Sequence, residues 1–351
     1  MIQHFNIFYI IIISISLSFT NGLSAPEIPS TKQKLIQKAR QINPPDLSLE
    51  GKNRFTTGWS NRLGSILTPV AEGVYTSDRP FLWNNIDVGC RMTVVELSTK
   101  TAGKTDLFIH SPVFLDDSLK ASLDRIGHVA HVVSPNYEHV KFAKKWGETF
   151  QDCKMWACPG MMAKEPDVRW TGEIPYGARP SNFPSTTSKP DPVEGMWDWN
   201  EVQPLHFNTE VNPFNGKPFF NEVVFYYAAS KTLMVTDTYW NYPRDGETNS
   251  NYKDLPEYDE ALTGPWEMAP YVSSIPFGTR LWKIGMDKLF KPFYMNLMVT
   301  NESKDEFRII TAFLSGIGPS SLDIEILIPA HGDIVRGAKL IRAVLKNHFG
   351  L

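Results

Sequence analysis

Three cysteines in 351 residues, Cys90, Cys153 and Cys158, are too few and too scattered for a disulfide framework or a cysteine-based zinc site. An oxidising compartment would permit a bridge between Cys153 and Cys158, but the apparent strand Cys153-Lys-Met-Trp-Ala157 reads the first of them as a core residue. Basic runs longer than a few residues are missing as well. With a formal net charge of −3 and a pI near 6.3, the chain has no broad attraction to nucleic acid or to an anionic membrane, and no nucleic-acid partner is expected. Also missing is a comfortable membrane span. The apolar run from Phe5 to Phe19 falls short of one and is followed by small and polar residues through Ala25.

Residues 1–25 therefore read as a secretory signal peptide, with a retained N-terminal anchor as the alternative, because no Lys or Arg precedes the apolar run. On this reading the chain enters the secretory pathway. It has no stable membrane insertion once the segment is cleaved, and an anchor if it is not. Residues 26–69 form a polar lead-in whose Ser30-Thr-Lys-Gln-Lys-Leu-Ile-Gln-Lys-Ala-Arg40 is basic and amphipathic. Such a segment behind a signal peptide is the pattern of plastid import in algae with secondary plastids, so a plastid stands beside secretion as a destination. Acidic Glu27, Asp46 and Glu50 weaken that reading, and an ordinary surface helix fits the same residues.

What is abundant points the other way from a minimal bundle. The 26 prolines, 23 glycines and 10 tryptophans imply long shaped loops with aromatic packing, and they disfavour an all-helical fold. A hydrophobic share of 42% with 21% charged residues is that of a globular chain able to bury a substantial core. Residues 70–351 read as one domain with insertions at about 158–200 and 238–300. The aromatic stretch from Trp156 to Trp199 suits either a lid over an organic substrate or plain packing.

The organising stretch is Val129-Ala-His-Val-Val-Ser-Pro-Asn-Tyr-Glu-His-Val-Lys-Phe-Ala-Lys-Lys-Trp146. It predicts a buried strand, a break at Ser134-Pro135-Asn136, and a helix with Val140, Phe142, Ala143 and Trp146 on its apolar face. Glu138 and His139 then fall in the first helical turn, at the strand edge where α/β folds place their chemistry. Glu138 also suits a first-turn acid matched to the helix dipole, and His139 a surface residue. Upstream, Met92–Leu97 and Asp106–His110 predict a hairpin with a loop from Ser98 to Thr105, followed by a helix opened by Asp116, Asp117 and Ser118 and stopped by Gly127. Downstream, Gln203–Phe207 is a short strand holding His206. Glu222–Tyr227 and Thr232–Thr236 form a second hairpin that ends at Asp237, and Asp323–Ile328 is a strand running into the turn Pro329-Ala-His331-Gly-Asp333.

Four residues, Glu138, His139, Asp237 and His331, thus sit at strand exits that can share one sheet edge. Imidazole nitrogen and carboxylate oxygen are the usual ligands of zinc, iron and manganese. Each residue alone is also an ordinary structural group.

The order of elements, with Ser134-Pro-Asn136-Tyr-Glu138-His139, the hairpin ending in Thr236-Asp237, and Pro329-Ala-His331-Gly332-Asp333, resembles the metallo-β-lactamase-like hydrolase superfamily. More narrowly, Arg91-Met-Thr-Val-Val-Glu-Leu97, Leu107-Phe-Ile-His-Ser-Pro-Val113 and Ser134–His139 resemble the domain-of-unknown-function 4336 family. The resemblance covers roughly residues 70–340 and implies an α/β (α+β) fold, an αββα sandwich of two facing mixed β-sheets. It also implies a metal site. Where the superfamily has its first two histidines this chain has Ser134 and Asn136, so one of the two metal positions is lost. The other is nearly complete in Glu138, His139, Asp237 and His331, and its catalytic group would be a water on the ion rather than a side chain. His110 takes the place of a supporting Asp, and it, Ser134, Asn136 and His206 are the expected outer or substitute ligands.

Three functions compete on this reading. The first is a mononuclear metallohydrolase of a small organic substrate, with zinc the first choice of ion and iron or manganese next. A non-catalytic, metal-free member of the fold acting as a binding or scaffold module is the second, and an oxidoreductase using iron in the same pocket is the third.

Overall fold

The computed structural model describes residues 30–43, 54–61, 64–184, 189–244, 247–263 and 275–351. The expected signal or anchor segment lies outside them. Among the described residues no helix is long and apolar enough to cross a membrane. Helix α1 is Ser30–Ile42, and the compact unit considered below is Leu35–Leu351.

Two mixed sheets carry the architecture. The first is built from β1 (Thr68–Ala71), β2 (Val74–Arg79), β5 (Cys90–Thr101), β6 (Lys104–His110), β7 (His128–Ser134), β8 (Lys154–Ala157) and β9 (Gly172–Glu173), side by side in that order. Its first four strands are antiparallel to their neighbours and the last four parallel. Between β2 and β5 lies a separate small hairpin, β3 (Leu82–Trp83) with β4 (Ile86–Asp87). The second sheet runs β10 (Val202–His206), β11 (Val223–Tyr227), β12 (Thr232–Val235), β13 (Ile326–Pro329) and β14 (Val335–Arg336), with β12 and β13 parallel.

The layering follows from the alternation of side chains along each strand. Val74, Val95, Phe108, Val133 and Trp156 of the first sheet share a core with Val223, Phe225, Met234, Ile326 and Ile328 of the second. Their sequence neighbours Tyr75, Val94, Leu107, Ile109 and Val132 point the other way, onto Leu119 and Leu123 of α2 (Asp117–Ile126) and Ala143 and Trp146 of α3 (Ala143–Thr149). Beyond the second sheet, after the short α4 (Met161–Lys164), α5 (Glu260–Thr263), α6 (Phe277–Gly285) and α7 (Lys291–Phe293), come α8 (Lys304–Leu314) and α9 (Ala338–Phe349). Phe307, Ile310, Leu340 and Val344 of α8 and α9 cover Val224, Leu233 and Leu327. The result is helix, sheet, sheet, helix, the αββα sandwich that the resemblance implies.

Three local expectations shift. The loop expected from Ser98 to Thr105 is mostly strand, because Ala102 and Gly103, with φ of 50° and 80°, close a two-residue turn and let β5 and β6 pair to their tips. The helix expected to begin right after Asn136 begins at Ala143. Asn136 Oδ1 accepts hydrogen bonds from the backbone N–H of Glu138 (3.0 Å) and of His139 (2.8 Å), so its side chain holds a turn that competes with the helix. Glu138 and His139 therefore lie in this turn and not in a helical one. Helix α2, by contrast, starts and stops where its signals stand: Asp116 Oδ1 caps the Leu119 N–H at 2.7 Å, and Gly127 ends it.

The aromatic segment after Trp156 packs inward. Trp156 and Trp197 are buried between the sheets and Trp170 and Trp199 pack against that core, so these tryptophans serve as packing residues. All three cysteines are buried and free.

Candidate metal centre

Strands β12 and β13 run parallel, and their exits, with the turn that follows β7, deliver Asp237, His331 and His139 to one place. One ligand atom from each lies within 4.8 Å of the others. His139 Nε2 is 3.2 Å from His331 Nε2, 3.3 Å from Asp237 Oδ2, and His331 Nε2 is 3.4 Å from Asp237 Oδ1. Donors held about 2.0–2.1 Å from a tetrahedral zinc ion stand roughly 3.3–3.4 Å apart. The spacing fits one small cation.

The proton positions favour a cation as well. His331 Nδ1 lies 2.7 Å from the carbonyl oxygen of Gly89, which can only accept, so Nδ1 carries the hydrogen and a neutral His331 presents a bare Nε2. His139 Nδ1 meets Ser111 Oγ at 2.7 Å and Cys90 Sγ at 3.6 Å, leaving its Nε2 aimed at the same point. Two facing ring nitrogens and a buried carboxylate need positive charge between them. Burial works against the charge of Asp237, but His139 and His331 outweigh it and hold the carboxyl far below the usual carboxylate range. Burial likewise disfavours an imidazolium at His139, yet Cys90 and Asp237 lift its proton affinity well above the ordinary histidine value. A metal ion or a proton answers the same demand.

Each candidate ligand is held by a built support. Glu222, buried at the start of the second hairpin, accepts hydrogen bonds from the N–H of Thr236 (2.5 Å), Asp237 (2.9 Å) and Thr238 (2.7 Å) and from Thr238 Oγ1 (2.7 Å). This fixes the backbone that presents Asp237. Asn136 Nδ2 donates to Asp237 Oδ2 at 2.5 Å and to Thr236 Oγ1 at 3.0 Å, so one amide ties the His139 turn to the Asp237 strand end. The His331 turn is clasped from two sides. The Arg91 guanidinium donates to the carbonyls of Pro329 (3.1 Å) and Gly332 and pairs with Asp78 (3.0 Å). On the other side Asn241 donates to His331 O and accepts from Asp333 N, both at 2.9 Å. Gly332 has φ of 91°, and a Cβ there would lie 2.2 Å from the carbonyl of Asn241. Only glycine fits.

The other expected site residues lie outside this group. Glu138 is half-buried beside it; burial and the Asp237 charge push its carboxyl upward. Asn136 is a clasp, not a ligand. His110 is fully buried between the sheets, edge-on to Phe225 at 5.5 Å, with neither ring nitrogen hydrogen-bonded among the described residues. Burial and nearby His139 push its pKa down to about 3, so it is neutral. Ser134 Oγ is buried without a hydrogen-bond partner among the described residues. His206 is corrected outright as a candidate ligand. Its Nε2 meets Asn221 Oδ1 at 2.8 Å and its Nδ1 accepts from Gly177 N at 3.0 Å, so both nitrogens are used in structural packing elsewhere.

Residues 72–263 match the family model described as Domain of unknown function (DUF4336). The chain belongs to this family. Among curated proteins none matches this DUF4336 chain. Solved structures similar to it include DIM-1 metallo-β-lactamase, at 12% identity with 81% of this chain and 95% of that chain covered and a TM-score of 0.44. The rubredoxin oxygen:oxidoreductase of Desulfovibrio gigas aligns at 15% identity over 81% of this chain and 61% of its own, with a TM-score of 0.44. The Flv1 flavodiiron core of Synechocystis sp. PCC6803 aligns at 9% identity, 81% and 60% coverage and a TM-score of 0.47. Glu222, Ser111 and Gly89, which support the three candidate ligands of this DUF4336 member, carry no motif in the sequence. A signal for the first existed: a glutamate opening an apolar strand must be bonded or it costs the fold several kcal/mol, about 2–7 for an unpaired polar group.

Proposed function

We propose that this chain is a mononuclear metal-dependent hydrolase of a small organic substrate, with His139, Asp237 and His331 as the protein ligands of one divalent ion. The observation that carries the reading is the convergence of two histidine Nε2 atoms, 3.2 Å apart, on a buried carboxylate, with the His331 tautomer fixed by Gly89. A divalent ion bound there supplies a Lewis acid that acidifies water toward neutral pH and polarises a carbonyl or phosphoryl oxygen. Zinc suits this nitrogen and oxygen donor set best, and iron(II) and manganese(II) accept the same groups. Glu138, half-buried and adjacent in the chain to His139, is the carboxylate in position to take up a proton beside the centre.

The full-length protein supplied with zinc, iron(II) or manganese(II) is expected to hydrolyse at least one of a panel of carboxylic, thio- and phosphoesters. Activity should vanish on chelation and in Asp237→Asn. One ion bound per chain with turnover no greater than that of Asp237→Asn would contradict the hydrolase reading.

A second reading, a metal-free binding module, draws on the Asn136 amide that already occupies Asp237 Oδ2 at 2.5 Å. In that case an imidazolium at His139 balances the carboxylate, and added metals leave the protein's melting temperature unchanged.

A further inference from the structure

Helix α6 continues through the wide π-type turn Met286–Phe290, α7 and a second such turn, Tyr294–Met298, as one helical stretch. Its inner side is anchored. Thr279 Oγ1 donates to Asp87 O at 3.1 Å, Trp282 Nε1 to the Tyr242 hydroxyl at 3.2 Å, and Tyr294 and Met298 are buried in the core against Phe307. Its outer side is apolar. Phe277, Leu281, Ile284, Leu289 and Leu297 are exposed by 76%, 52%, 56%, 73% and 55%. They follow one another at spacings of four, three, five and eight residues, with the wide turns falling where the spacing lengthens. A row of large apolar side chains on the surface marks a site of interaction.

The charges around the row choose the partner. Arg280 and Lys288 are exposed among these apolar residues, and Lys283 and Lys291 flank them. The one acid of Phe277–Met298, Asp287, is engaged with Lys283 and with Trp240 Nε1. A second copy of the chain packed on this same face would offer Arg280 and Lys288 only apolar residues, further cations and Asp287, which is already engaged. Lipid phosphates would satisfy Arg280 and Lys288. The formal net charge of −3 gives no attraction for the molecule as a whole, so binding of this face to anionic lipid depends on its local charge.

We propose that the outer face of Phe277–Leu297 docks on an anionic lipid bilayer. The five apolar side chains enter the boundary between headgroups and acyl chains, and Arg280 and Lys288 contact lipid phosphates. This is attachment in the plane of the interface, and it is independent of whether the metal centre is occupied.

The test uses the full chain and vesicles of phosphatidylcholine, alone or mixed with phosphatidylglycerol. Sedimentation with the mixed vesicles should fall by on the order of tenfold in Leu281→Glu/Ile284→Glu, and by a similar factor in Arg280→Ala/Lys288→Ala or at high salt. Because the native cysteines Cys90, Cys153 and Cys158 are buried, a polarity-sensitive dye can be placed selectively on Leu289→Cys. Its emission should shift to the blue only with the mixed vesicles, a readout that other membrane-binding parts of the chain do not supply. An unshifted dye, or binding equal in parent and Leu281→Glu/Ile284→Glu, would overturn the proposal. So would a dimer that Leu281→Glu/Ile284→Glu converts to monomer, which would make the face a contact between copies.

Discussion

Asp237 shows how much of the candidate site is made by residues with no part in holding an ion. Its backbone is held by the Glu222 carboxylate through three N–H groups and one hydroxyl. Glu222→Gln keeps the shape but turns an amide donor toward those donors. It should cost about 2–4 kcal/mol of stability and weaken metal binding by about tenfold to a hundredfold, read by denaturant unfolding and by metal titration. Asp237→Asn in the same assays should lose the metal with little loss of fold, which separates the ligand from its support. Gly332 makes the complementary case in the backbone. A Cβ there meets the Asn241 carbonyl at 2.2 Å and φ is already 91°, so Gly332→Ala should destabilise the protein by about 2–4 kcal/mol and displace His331. An unchanged melting temperature for Gly332→Ala would refute the close approach.

At the scale of elements, the strand-to-turn exits were legible because each is an apolar β-branched run broken by Pro, Asn or Asp: Val132-Val-Ser134 before Pro135, Met234-Val-Thr236 before Asp237, and Leu327-Ile328 before Pro329. The helix start after the first exit was not legible. Apolar spacing from Val140 to Trp146 reads as helix throughout, and only the fold shows that the Asn136 side chain takes the N–H groups of Glu138 and His139 for a turn. His206 misled for a related reason. A histidine at a strand edge looks the same in sequence whether its nitrogens face an ion or, as here, Asn221 and Gly177. Asn136 also bridges to Asp237, so Asn136→Ala releases two elements at once. The expected result is a metal affinity reduced by about tenfold or more with a stability loss of about 1–3 kcal/mol, whereas Asn136→Asp should restore the turn but repel Asp237.

For the molecule as a whole, the candidate centre lies where the two sheets of the sandwich bring their strand ends together, so its three residues span almost two hundred positions of the sequence. The pairing of His139 with Asp237 and His331 joins the first sheet to the second. An ion shared by both sheets should therefore stabilise the folded state by RT ln(1 + [L]/Kd), about 2.7 kcal/mol at a hundredfold excess over Kd, and raise the melting temperature by a few degrees. That gain should disappear with a chelator. The sign follows from binding to the folded chain alone.

Elemental analysis of the purified full-length protein, alongside His139→Ala and His331→Ala, decides whether His139, Asp237 and His331 hold one metal ion. The expected result is about one zinc, iron or manganese per chain in the parent and loss of that ion in both variants while the fold is retained. A folded parent that contains none of these ions and takes up none when they are added would contradict it.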